Sequence, residues 1–94
     1  MGTRDEYLAK LKQQLDEWNA DIDSLEAKAG ELTGPARAKL EPYLASAREH
    51  RDAAVAKLAE LKNSGETSWE KVQGEVEHVW KTLRQSINYF KSQL

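Results

Sequence analysis

His50 and His78 are the chain's only histidines, and it has no cysteine. Glu75 and His78 form Glu-x-x-His, the spacing that sets two metal ligands on one helix face. Di-iron bundles use that motif twice and add two further carboxylates. Here it occurs once, and Glu75 lies off the apolar arc of its segment. A solvated surface pair is the better reading, and no metal site is expected. No serine sits in a Gly-x-Ser-x-Gly elbow or a recognisable triad. Gly65 and Gly74 are too isolated to cradle a phosphate. Without thiols there is no cysteine nucleophile and no thiolate zinc site. These residues predict a protein that is not an enzyme and holds no cofactor.

One constellation stands out, formed by Trp18, Arg51 and Trp80. Arg51 interrupts an otherwise apolar seam. The helix pairing derived below sets it opposite Trp18, with Trp80 and His50 at the same height. A guanidinium over an indole face is a cation–π contact worth roughly 0.5–2 kcal/mol, depending on burial. Asp16, Glu17 and Asp21 are near enough along the first segment to pair with Arg51. Two readings follow. One is a small polar pocket at mid-bundle. The other, which we favour, is a polar residue that sets register, as a single buried polar position does in coiled coils.

The elements that must position these residues are helices. Ala, Leu, Glu, Lys and Gln dominate, and only five Gly and two Pro punctuate the 94 residues. Breakers at Gly34-Pro35 and Ser64-Gly65 cut the chain into three segments, predicted as helices over about 4–32, 35–63 and 67–93. No linker or low-complexity stretch separates them, so one domain, 1–94, is expected. In the first segment Leu8, Leu11, Leu15, Trp18, Ile22, Leu25, Ala29 and Leu32 follow one another by alternating steps of three and four. That is an unbroken heptad seam. Thr3 and Glu6 have capping-box spacing, as do Thr67 and Glu70.

The second segment carries Leu40, Leu44, Ala47, Arg51, Ala54, Leu58 and Leu61 at the same steps. Pro35 suits a first turn. Pro42 then falls inside the helix and predicts a kink or a loose first turn. The two seams mirror one another about Gly34-Pro35, pairing Leu15 with Ala54 and Ile22 with Ala47. This predicts an antiparallel hairpin. Gly65 is expected to close the second helix. In the third segment Trp69, Val72, Val76, Val79, Trp80, Leu83, Ile87, Phe90 and Leu94 occupy an arc of about 100°. Reflection about Gly65 lays that helix back along the second. The architecture expected is all-α, an up-down-up three-helix bundle. Trp69/Trp80, Val72/Leu83/Leu94 and Val76/Ile87 also repeat at eleven residues, a period that favours nearly straight packing and also occurs in lipid-surface helices.

The segments Thr3-Arg4-Asp5-Glu6-Tyr7, Leu15-Asp16-Glu17-Trp18-Asn19 and Ile22-Asp23-Ser24-Leu25-Glu26-Ala27-Lys28-Ala29 resemble a group of short bacterial coiled-coil proteins of unknown function. Ser68-Trp69-Glu70, Gly74-Glu75-Val76-Glu77 and Trp80 are similar to a second recurring segment of that group. Gly34-Pro35 and Pro42 depart from its smoother Ala- and Glu-rich middle. The resemblance implies no catalytic residues and no defined activity.

Charge and hydropathy narrow the function classes. Fourteen Lys and Arg against 16 Asp and Glu give a formal net charge of −2, which does not point to bulk nucleic-acid binding. No apolar run approaches the roughly 18–20 residues of a spanning helix. The N-terminus is charged from Arg4 onward, so no secretory signal is expected and a cytoplasmic location is. Met1-Gly2 lacks the Ser or Thr at position six that myristoylation wants, since Glu6 stands there. The function expected is that of a small interaction or scaffold protein acting through its helix surfaces, with a protein partner or by self-association as monomer or homodimer. The alternative is membrane-surface binding by the amphipathic third helix, with Arg84 and Lys91 flanking its apolar arc.

Overall fold

The computed structural model describes residues 3–93; Met1, Gly2 and Leu94, which carry the myristoylation reading and the last eleven-residue repeat, lie outside them. The chain forms α1 (Thr3–Gly30), α2 (Pro35–Lys62) and α3 (Glu66–Ser92). All three pack together in an elongated up-down-up bundle of 51 × 20 × 17 Å. The all-α three-helix architecture is the one the heptads predict. At about 1.5 Å per residue, each helix runs nearly the length of the bundle.

The breakers end the helices for local reasons. Gly34 has φ +64° and precedes Pro35, the first residue of α2. That left-handed backbone suits glycine, and the fixed φ of proline suits a first turn. α2 then runs unbroken through Pro42. The second turn corrects two expectations. Asn63, not Gly65, caps α2, and Ser64 Oγ donates to the Leu61 carbonyl at 2.7 Å. Gly65 instead caps α3 in an extended conformation, with no side-chain cap bond. Thr67 is therefore already helical and cannot act as the N-cap hydroxyl, and Thr3 is likewise already within α1.

The core follows the seams. Leu11, Leu15, Ile22, Leu25 and Ala29 of α1 are buried against Leu40, Ala47, Ala54, Leu58 and Leu61 of α2 and Val72, Val76, Trp80, Leu83, Ile87 and Phe90 of α3. Leu8, Trp18, Leu32, Leu44, Trp69 and Val79 are half-buried at its margin. Residue size sets the helix spacing. Ala47 and Ala54 are wholly buried on α2, and their small side chains let neighbours approach closely. α2 accordingly packs closely against both other helices, whereas α1 and α3 approach each other least. Aromatic rings fill the wider seam between them: Tyr7 meets Trp69 at 6.1 Å and Trp18 meets Trp80 at 6.3 Å, centroid to centroid.

Those ring pairs fix the relation of α1 to α3. Both join residues the same 62 positions apart (7 to 69, 18 to 80), so the two helices run parallel and in step. The α2–α3 register differs from simple reflection. Reflection about Gly65 opposes His50 to Trp80, but His50 meets Ser86, and Tyr43 meets Tyr89. The Tyr43–Tyr89 and Lys57–Glu75 contacts lie about two residues from that reflection.

Candidate interaction groove

The widely spaced α1–α3 seam is open to the surface as a groove of about 540 Å³. Its floor is Tyr7, Leu11, Trp18 and Trp80. Its α1 rim carries Lys10, Gln14 and Glu17, and its α3 rim carries Glu77, Lys81 and Arg84. Each rim has steps of four and three, which align its side chains along one helix face. At one end Arg4 lies over Trp69, 4.3 Å from the ring centroid, and Tyr7 packs edge-on to the same ring. Towards the other, Lys91 Nζ bonds Asp21 Oδ2 at 3.2 Å.

Ion pairs bridge each of the three helix seams. Arg48 Nε donates to Glu26 at 2.8 Å across α2 and α1, and Lys57 Nζ to Glu75 at 2.6 Å across α2 and α3. Among the described residues, Lys10, Glu17, Glu77, Lys81 and Arg84 form no ion pair. Burial pushes the Tyr7 phenol above its ordinary value, opposed by its hydrogen bond to Gln73 and reinforced by the Glu77 carboxylate.

Of the constellation read from sequence, Trp18 and Trp80 come together on the groove floor. Arg51 reaches a different partner. Its side chain is 27% exposed and its Nη2 lies 3.5 Å from Asp52 on its own helix. Of the expected acids, Asp21 is engaged by Lys91. The arginine that lies over an indole is Arg4, which the seam pattern gave no reason to single out.

Two buried polar atoms also escaped the pattern. Asn19 Oδ1 and Trp80 Nε1 are both buried without a hydrogen-bond partner among the described residues. One is an acceptor and the other a donor, and the Trp18–Trp80 contact sets them at the same height. Asn19 adjoins a seam position, and a seam-flanking Asn is the signal that could have marked it.

The other chemistry-bearing residues are placed as follows. His78 is exposed, while Glu75 is held by Lys57, which donates to it and lowers its pKa. Among the described residues no group of three or more His, Asp or Glu side chains is placed to hold a metal ion. His50 Nδ1 lies 2.5 Å from Ser86 Oγ beside a shallow pocket lined by Tyr43, Ser46, Thr82, Gln85 and Tyr89. No carboxylate pairs with that imidazole among the described residues. Ser86 sits in mid-helix, where backbone N–H groups are committed to the helix rather than free to hold an oxyanion.

No helix among the described residues is long and apolar enough to cross a membrane. Comparison with protein-family models, curated proteins and solved structures finds no match for this chain.

Proposed function

We propose that this chain is a cytoplasmic, non-enzymatic interaction protein that offers the α1–α3 groove to a protein partner. The observation that carries this reading is the set of five rim charges, without an ion pair among the described residues, around a largely aromatic floor. On the other two seams Arg48–Glu26 and Lys57–Glu75 bridge neighbouring helices. Aromatic side chains supply contact area at low entropic cost, and a charged rim selects among partners. The lipid-surface alternative draws less support. The apolar side chains of α3 from Val72 to Phe90 that it would need lie in the core, and using them would require opening the bundle.

Photo-crosslinking in the native host tests the reading. A benzophenone amino acid replaces Gln14 or Lys81 in the groove, or Glu60 on α2 as control. The reading expects one discrete heavier adduct at the groove positions and none at Glu60. No adduct at any position, or the same adducts at all three, overturns it.

A further inference from the structure

From the charges of the groove and of α1 itself, we infer that its occupant is a second copy of this chain. The inference rests on the interaction reading above and names the partner. The constant spacing of the two ring pairs projects α3 onto α1: Glu77 stands at the height of Leu15, Lys81 at that of Asn19, and Arg84 at that of Ile22. Along the groove, with Lys10 first, the rim therefore runs positive, then negative at Glu77 and Glu17, then positive at Lys81 and Arg84. The outer line of α1 carries the complement. Glu6, Lys10, Gln14 and Glu17 are spaced by four, four and three and share one face.

A two-fold axis passing between Gln13 and Gln14 lays α1 of a second copy antiparallel in the groove. Lys10 of the second copy then falls between Glu17 and Glu77, its Glu6 falls beside Lys81 and Arg84, and its Glu17 faces Lys10. All five unpaired charges gain an opposite neighbour, and symmetry makes each contact twice. Asp21, which would face Glu6 of the second copy, is already neutralised by Lys91. Half-buried Trp18 is covered in the process. The contact from Glu6 to Glu17 is only about 17 Å long at 1.5 Å per residue. That places it at the small end of specific interfaces and makes a reversible, salt-sensitive dimer.

Sedimentation equilibrium at about 50 and 500 mM salt tests this, with helicity recorded on the same samples. The wild-type chain is expected to dimerise at low salt and to weaken at least tenfold at high salt. Lys10→Glu should weaken it at least tenfold by facing Glu17 with a like charge. Lys10→Glu with Glu17→Lys should recover most of the loss, because the swapped charges meet again across the axis. Lys39→Glu on α2 should change nothing. A wild-type chain that is monomeric at every concentration overturns the inference. So does a dimer indifferent to Lys10→Glu, no recovery in the swapped variant while helicity is retained, or equal weakening by Lys39→Glu. Groove-specific crosslinking to a different protein would leave the interaction reading standing while a monomeric chain removed this one.

Discussion

Trp18 of α1 and Trp80 of α3 meet with ring centroids 6.3 Å apart and planes inclined by 56°. The contact sets the width of the α1–α3 seam and the step between those helices. Trp80 is buried and Trp18 half-buried. Trp80→Ala should therefore destabilise by about 3–5 kcal/mol and Trp18→Ala by roughly half as much. Urea unfolding followed by far-ultraviolet circular dichroism measures both. Equal losses would mean that the rings do not share the burial described.

Asn19 Oδ1 is buried without a hydrogen-bond partner among the described residues. Such a group costs about 1–3 kcal/mol, and alanine is the better helix former. Asn19→Ala should accordingly stabilise the bundle by about 1 kcal/mol in the same assay. A loss of stability would show that the amide is satisfied in solution.

Pro42 lies inside α2 and is exposed. Its ring removes one helical hydrogen bond, a defect worth up to about 3 kcal/mol in a helix interior. Pro42→Ala should raise the urea midpoint, with a gain of about 1–3 kcal/mol. An unchanged midpoint would mean that α2 already absorbs the proline without cost.

Lys57 and Glu75 bridge α2 and α3, and the bond between them raises the Lys57 pKa and lowers that of Glu75. A lowered carboxylate pKa gives stability that is present above its unfolded value and lost as pH falls through the folded one. A raised lysine pKa gives stability present below its unfolded value and lost as pH rises through the folded one. The pair thus stabilises the bundle between the two ranges. Glu75→Gln should remove the Glu75 contribution to the slope of stability against pH on the acid side. A slope identical to wild type, measured by thermal melts from about pH 3 to 7, would refute the assignment.

The burial of the α3 apolar face predicts that the folded chain does not bind lipid. Vesicles containing about one third anionic lipid should leave it in the supernatant, with tryptophan emission unchanged. Co-sedimentation with a blue-shifted emission would show that α3 can leave the bundle.

Much of this fold was legible in the chain because side-chain periodicity reports position around a helix axis. The alternating steps from Leu8 to Leu32 and from Leu40 to Leu61 marked the core stripes. Gly34-Pro35 marked the hairpin, since its backbone needs are local. Periodicity says little about position along the axis. A heptad seam offers its partner a similar face after each repeat, so His50 facing Ser86 rather than Trp80 was not encoded in the spacing. The tertiary structure alone decided the axial offset. The packing also sent Arg51 to Asp52 and Arg4 to Trp69, buried Asn19 Oδ1, and left Lys10, Glu17, Glu77, Lys81 and Arg84 without an ion pair among the described residues. Those outcomes depend on how large and small side chains from three helices share one interior, a property that belongs to the packing and to no single segment.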